Sequence, residues 1–265
     1  MTDILKRNNV KIYGHGDKVM VFAHGYGCDQ HVWIDIASSF ENDYKLVAFD
    51  YVGAGESDLT AYSKERYSTL DGYAQDILEI YETLNLKDTI LVGHSVSSMI
   101  GLLAAVKSPE LFSKLIFLGP SPRYLNDGDY YGGFERNDLE DLFDMMDNNY
   151  LGWSSALAPS IMGNQERPEL GERLTNSFCA TDPEIAKQFA RVTFLSDNRK
   201  DLVKLTVPSL TLQCTNDIIA PIQVGQYMHE NMQNNTLVIM DASGHCPHMS
   251  APGETINAMK AYLAC

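Results

Sequence analysis

The order of one serine, one aspartate and one histidine along the chain is that expected for a nucleophile, a carboxylate that orients a general base, and the base itself. Ser95 lies in Gly93-His94-Ser95-Val96-Ser97, between an apolar run that predicts a strand and another that predicts a helix. A strand, a sharp turn and a helix in this order raise the serine hydroxyl above the end of the strand. Asp217 and His245 follow, each just after a predicted strand. We therefore predict that the three residues act together in acyl transfer.

Each member of this set has a defined chemical task. A serine hydroxyl is a poor nucleophile until a neutral imidazole takes its proton, and the imidazole needs a carboxylate that fixes its tautomer and stabilises the cation that forms. The turn departs from the pattern Gly-x-Ser-x-Gly at Ser97, where glycine is usual because helix and strand approach closely. Serine is the mildest replacement that carries a Cβ.

The residues around His245 leave alternatives open. His248 is a rival base three residues further on, although Gly244 favours His245 because glycine lets the backbone approach closely. Cys246 raises the hypothesis of a thiol nucleophile, but it has no strand-turn-helix of its own. The histidines and cysteines show no pair with the spacing of a structural zinc site, so we predict neither a metal nor a cofactor.

Two backbone amides are expected to bind the oxyanion. One is the amide of Val96, directly after the nucleophile, and the other is that of Tyr26, in a glycine-rich turn after an early strand. Aromatic and apolar residues on the predicted lid and rim are candidates for the pocket wall. Few cations accompany them, so we expect a small, neutral, apolar substrate. The candidates are Tyr26, Tyr124, Phe134, Leu142, Trp153, Phe189, Phe194 and Ile219.

The elements around these residues predict a mostly parallel, doubly wound sheet with helices on both faces. Nearly continuous apolar strands alternate with helical patterns, which is typical of such α/β folds. Residues 121–196 show only helical patterns, and we interpret them as a lid above the carboxyl edge, inserted in a core domain of residues 1–120 and 197–265. The strands are predicted at 10–13, 19–24, 45–49, 90–92, 115–118, 209–214 and 236–240.

Composition narrows the classes of partner. The 265 residues, 45% of them hydrophobic, suffice for one large α/β domain with an insertion. Twenty basic residues against 35 acidic ones give a net charge of −15, which disfavours nucleic acid and anionic membranes. No apolar stretch is long enough to span a bilayer. Five scattered cysteines and a start without the basic-then-apolar order of a secretory signal predict reduced thiols in the cytoplasm.

Six further motifs run from the first helix to the last. They occupy residues 27–33 (GCDQHVW), 49–58 (FDYVGAGESD), 66–73 (RYSTLDGY), 121–127 (SPRYLND), 131–135 (YGGFE) and 244–248 (GHCPH). Through them the chain resembles the RsbQ-type α/β hydrolases of bacteria, regulators of the general stress response, and their plant relatives, the karrikin and strigolactone receptors. The resemblance implies the α/β-hydrolase fold, the triad Ser95, Asp217 and His245, and a four-helix lid. It also implies a signalling role, with a sensor-domain phosphatase as partner in the bacterial branch.

Two functional hypotheses follow. The first is a serine hydrolase that cleaves a small apolar ester or lactone. The second is a ligand-gated receptor for butenolide-like molecules, in which hydrolysis is slow or dispensable. It is favoured by the plant-like turn at residues 93–97 and by an acidic helix at residues 138–147 as a partner face, for which a solvated surface is the simpler explanation. A dehalogenase or epoxide hydrolase is disfavoured, because those enzymes carry aspartate where Ser95 stands.

Overall fold

The computed structural model describes residues 3–264, so Met1, Thr2 and Cys265 lie outside it. Within this range seven strands form one sheet in the order β1-β3-β2-β4-β5-β6-β7. The edge strand β1 pairs antiparallel with β3, and the other pairs are parallel. The strands are β1 Lys11–Tyr13, β2 Lys18–Ala23, β3 Tyr44–Phe49, β4 Thr89–His94, β5 Phe112–Leu118, β6 Ser209–Asn216 and β7 Asn235–Ser243.

Helices cover both faces of the sheet. Short helices are α1 Ile4–Arg7, α2 Ile34–Ala37, α9 Arg199–Leu202 and α11 Pro247–Ser250, and the longer ones in the core are α3 Leu70–Thr83, α4 Val96–Lys107, α10 Ile222–Asn231 and α12 Pro252–Leu263. Four more follow β5, namely α5 Arg136–Asn148, α6 Tyr150–Met162, α7 Pro168–Ala180 and α8 Pro183–Phe194. None of the helices in residues 3–264 combines the length and the apolar character needed to cross a membrane.

The alternation of side chains along the strands builds two hydrophobic layers. On β2, Met20 and Phe22 join one buried cluster, whereas Val21 and Ala23 join the other. This division follows from strand geometry, since successive side chains point to opposite faces. Every residue of the central strand β4 is buried. The polar residues that follow β4 are therefore held on a rigid base.

The helices α5–α8 lie between β5 and β6 in the chain, inside the interval that the sequence assigns to the lid. Polar contacts join α7 to the loop after β2 and to α2. The hydroxyl of Ser177 donates to the carbonyl of Gly27 at 2.9 Å, and Arg173 pairs with Asp35 at 2.8 Å. Because Gly27 is one residue from Tyr26, α7 is fastened next to the loop expected to bind the oxyanion.

Several boundaries differ from the predicted ones. The strands β6 and β7 continue to Asn216 and Ser243, past the predicted ends at 214 and 240, with a register shift near Asn216. The prediction relied on runs of apolar residues. Because the added positions of β6 and β7 are largely polar, it ended both strands too early. As a result, Asp217 follows β6 directly and His245 lies two residues past β7. The cysteines within residues 3–264 are free thiols, namely Cys28, Cys179, Cys214 and Cys246.

Candidate active site

Ser95 lies at a strained turn between β4 and α4. Its backbone has φ 56° and ψ −123°, a region that residues with a Cβ rarely adopt. Glycine is required two residues earlier, because a Cβ on Gly93 would lie 2.6 Å from the carbonyl oxygen of Ser97. The amide of Ser95 donates to the carbonyl of Leu118 at 2.8 Å, at the end of the neighbouring strand. The turn thus fixes the hydroxyl at the carboxyl edge of the sheet.

A continuous chain of hydrogen bonds joins the three predicted residues. Nε2 of His245 lies 2.7 Å from Ser95 Oγ, and its Nδ1 lies 2.7 Å from Asp217 Oδ2. The other carboxylate oxygen of Asp217 accepts the amides of Ile219 and Ala220 at 2.8 and 3.1 Å. Since a carboxylate only accepts, Nδ1 of His245 carries the proton and Nε2 is left to accept the proton of Ser95.

The loop that carries His245 is held from two sides. Its amide donates to the carbonyl of Ile161 at 2.9 Å, at the end of α6, and its carbonyl accepts Nε2–H of His94 at 2.8 Å. Gly244 has φ +90°, and a Cβ there would lie 1.9 Å from the carbonyl oxygen of Met162. This close approach explains why glycine must precede His245, and it makes α6 a direct support of the imidazole.

The loop after β2 lies close to the nucleophile. A Cβ on Gly25 would lie 2.5 Å from Nδ1 of His94 and 3.3 Å from Cβ of Ser95, so glycine lets this backbone approach Ser95 so closely. The next amide, that of Tyr26, donates no hydrogen bond to any group of residues 3–264 in this turn. Val96 is the first residue of α4, where an amide has no intrahelical acceptor. Both predicted donors are therefore available to a substrate oxygen.

Ser97 ties this loop to the nucleophile's helix. Its buried hydroxyl donates to the carbonyl of His24, and the hydroxyl of Tyr51 lies 3.1 Å from Ser97 Oγ. The ring of His24 is itself held by two hydrogen bonds. Its Nδ1–H donates to the carbonyl of Gly25, and its Nε2 accepts the amide of Tyr51. The serine that departs from the usual glycine thus supports the peptide that leads to Tyr26.

His248, the rival base, does not reach the nucleophile. It lies in α11 with its ring 4.7 Å from that of Trp33 and 4.5 Å from that of His94. Burial lowers the pKa of His248 to about 3, with His245 as a smaller cause, and burial also holds the pKa of His94 well below its usual range. Both rings are therefore neutral at physiological pH. Of the alternatives, His245 alone lies within hydrogen-bond distance of Ser95 among the described residues.

A small cavity of about 30 Å³ opens on Ser95 and His245. The cavity is partly open, and its lining is almost entirely apolar. Four of the predicted wall residues line the cavity, namely Tyr26, Tyr124, Phe194 and Ile219.

The other four predicted wall residues do not line this cavity and lie in the layer of side chains around it. Trp153 lies behind Tyr26, with ring centroids 6.5 Å apart, and Phe134 packs against Phe194 at 5.7 Å. Phe189 stacks on Tyr73 at 4.3 Å. Leu142 belongs to the buried hydrophobic cluster that also contains Met20 and Phe22 of β2. Spacing along a helix identified the buried faces correctly, but it does not distinguish a wall from the layer behind it.

Several residues of the wall were missed. Three of them could have been found from their place in the sequence. His94 and Cys246 are direct neighbours of Ser95 and His245, and Cys28 lies two residues after Tyr26. The others lie on lid helices whose faces the sequence did not assign. The missed residues are Cys28, His94, Ile161, Leu174, Phe178, Thr193 and Cys246.

The cysteines of the wall are poorly suited to be nucleophiles. Burial raises the pKa of Cys28 and that of Cys246 above the usual range, so both are protonated thiols at neutral pH. Among residues 3–264, no three His, Cys, Asp or Glu side chains come together as a metal site would need. The described groups thus favour the serine as the attacking atom.

Comparison with known proteins assigns the family. Residues 18–252 match the family described as alpha/beta hydrolase fold. The chain belongs to this family. The expected fold class is therefore confirmed, and by class the protein is a hydrolase.

Relatives within the α/β hydrolase family match over nearly the whole chain. Karrikin insensitive 2 receptor CA of Petunia hybrida is 40% identical over 97% of this chain and 95% of its own length. Strigolactone esterase D14 of Arabidopsis thaliana is 37% identical over 98% of both chains. The solved structure of a hydrolase from Oleispira antarctica is 44% identical, with a TM-score of 0.96 over 99% of this chain and 96% of that one. The expected kinship with the plant receptor hydrolases is confirmed.

We predict that Ser97→Ala lowers kcat for an activated ester about tenfold with little change in KM, because the peptide before Tyr26 loses its hydrogen bond. Ser98→Ala is the matched control, since the Ser98 hydroxyl donates to Gly93 and does not touch the loop after β2. Steady-state kinetics and thermal unfolding of both variants check this. Equal kcat losses in the two variants, or a loss only in KM, would contradict the role given to Ser97.

We predict that His248→Phe makes the protein less sensitive to acid. Burial lowers the pKa of His248 from 6.5 to about 3. Below pH 6.5 the unfolded chain binds a proton that the folded chain refuses, so the free energy of unfolding falls by up to roughly 1.4 kcal/mol per pH unit until about pH 3. Denaturant unfolding at pH 7.5 and 5 should show a smaller acid loss, by about 2 kcal/mol, in this variant. The exposed His229→Gln is the control, and an acid loss equal to that of the wild type would contradict the assignment.

Proposed function

We propose that this protein is a serine hydrolase that cleaves a small, neutral, apolar ester or lactone. The observation that carries the proposal is the unbroken hydrogen-bond chain from Asp217 through His245 to Ser95, which ends at an apolar cavity. Apolar walls recognise uncharged groups, and the net charge of −15 disfavours anionic substrates.

The proposed reaction begins with attack of Ser95 Oγ on the substrate carbonyl while His245 Nε2 takes the hydroxyl proton. Negative charge develops on the carbonyl oxygen, which the amides of Tyr26 and Val96 bind. His245 then gives its proton to the leaving oxygen, and an acyl group remains on Ser95. Water attacks this ester by the same route, with His245 as base, and restores the serine. In a lactone the alcohol stays attached to the acyl chain.

A signalling role is the second part of the proposal. It is supported by the identity of about 40% to proteins named karrikin insensitive 2 receptor, and by the resemblance to RsbQ-type regulators. In this form the small hydrophobic molecule is a signal, and a protein partner reads the occupied state. A ligand-gated receptor with slow or dispensable hydrolysis is the alternative, and the similarity to proteins named karrikin insensitive 2 receptor supports it.

We predict that Ser95→Ala abolishes turnover of 4-nitrophenyl acetate, at least a thousandfold, because the attacking atom is removed. The control is Ser113→Ala, at the opposite end of β5 from the site. Product release by absorbance measures both. Turnover retained by the Ser95 variant would refute the proposed mechanism.

The lifetime of the acyl-enzyme separates the hydrolase from the receptor. We predict that a butenolide lactone and the activated ester both add their acyl mass to wild type, that the adduct decays within seconds, and that Ser95→Ala forms none. Intact mass spectrometry at successive times measures this. An adduct that persists for hours after a single turnover would instead favour the receptor alternative.

A further inference from the structure

The side chain of His94, the residue directly before Ser95, lies between the two other loops of the candidate site. Its Nε2 lies 2.8 Å from the backbone carbonyl oxygen of His245. On another side the ring faces Gly25, where a Cβ would lie 2.5 Å from Nδ1 and 3.0 Å from Cε1 of His94. Gly25 precedes Tyr26, whose amide is expected to bind the oxyanion. One ring therefore contacts the loop of the base and the loop of the oxyanion site.

The protonation state of His94 follows from its partner and its burial. A carbonyl oxygen only accepts, so Nε2 of His94 carries the proton of this hydrogen bond. Burial holds the pKa of His94 well below its usual range, with His248 and His245 as smaller causes, and the ring stays neutral. Its Nδ1 then has no proton, and it has no hydrogen-bond partner within residues 3–264. The single N–H group of the ring is thus directed to the loop that carries His245.

A row of buried rings fixes the place of this N–H group. The ring centroid of His248 lies 4.5 Å from that of His94, and Trp33 follows at 4.7 Å from His248. Phe22 continues the row at 5.1 Å from Trp33, and it lies on β2, the strand that leads to Gly25. All four side chains are buried. Because close-packed interiors leave side chains little freedom, the core holds the ring of His94 in one orientation.

The contact with His94 gives the loop of His245 a reference point in the core. The amide of His245 donates to the carbonyl of Ile161 in α6, whereas its carbonyl accepts from a residue that adjoins Ser95 in the chain. Only one side chain thus separates the backbone of Ser95 from that of His245. Without the N–H donor, the buried carbonyl loses its partner and the loop is free to shift relative to Ser95. Small displacements of reacting groups cost much of a reaction rate.

We propose that His94 is a positioning residue, which sets the loop of His245 and the loop of Tyr26 relative to Ser95. It acts through the backbone of His245 and through its contact with Gly25, and it takes no part in proton transfer. This inference rests on the proposed hydrolysis at Ser95. It requires a neutral side chain with an N–H group at this position, so a ring without a donor does not replace His94.

The kinetic test compares two substitutions of His94 that differ in their ability to donate. His94→Phe keeps a planar ring without an N–H, and we expect kcat for 4-nitrophenyl acetate to fall about tenfold or more while KM changes less than about twofold. His94→Gln keeps an N–H donor and should retain most of kcat. The control is Thr89→Val at the opposite end of β4, which removes a buried hydrogen bond with Tyr81 and should leave kcat unchanged.

Proton NMR gives a readout that needs no turnover. The proton between Nδ1 of His245 and Asp217 is expected far downfield of the backbone amides, and Asp217→Asn, which removes it, assigns the signal. We expect the signal to shift or broaden in His94→Phe and to stay as in wild type in His94→Gln and Thr89→Val. If wild type has no esterase activity, the proposed function fails while this signal still decides the inference.

Three results would overturn the role of His94. They are a kcat and a proton signal in His94→Phe equal to those of Thr89→Val, a loss in His94→Gln as large as in His94→Phe, and a loss confined to KM. Thermal unfolding of every variant shows whether it folds. His94→Met also lacks a donor, and it replaces His94→Phe in both measurements if the phenylalanine variant does not fold.

Discussion

The hydrogen bond between Ser95 and His245 requires two distant turns to end at the same place. Ser95 follows β4, whereas His245 follows β7, and β5 and β6 lie between them. Three strand spacings amount to roughly 14 Å, so the loop after β7 must cross the sheet edge to deliver the imidazole. A free loop would not hold a distance of 2.7 Å. The surrounding contacts serve to fix this crossing.

Those contacts come from both the core and the lid. Gly119 lies under the imidazole, where a Cβ would be 3.2 Å from the ring, and His94 binds the carbonyl of His245. On the other side, α6 accepts the amide of His245 through Ile161. The helix α6 therefore helps to hold the loop that carries His245. A shift of α6 would therefore move a group that supports His245.

The sequence predicted the features that depend on local pattern. Apolar runs located the strands, and the order of Ser95, Asp217 and His245 gave their common edge, because the carboxyl ends of parallel strands meet there. It could not predict contacts between distant segments. Ser97 was interpreted as a tolerated replacement for glycine, yet its hydroxyl holds the carbonyl of His24 across the site. Phe189 had the right periodicity for a wall and lies one layer behind it, against Tyr73.

The same limit applies to the histidines, which composition treats as equivalent. His94, His245 and His248 lie close together, with ring centroids 5.1 Å apart for His94 and His245 and 4.5 Å for His94 and His248. Burial without a carboxylate lowers the pKa of His94 and that of His248, so those rings stay neutral. His245 differs by its bond to Asp217, which fixes the imidazole tautomer with the proton on Nδ1. One carboxylate, placed by the end of β6, thus distinguishes His245 from its two neighbouring imidazoles.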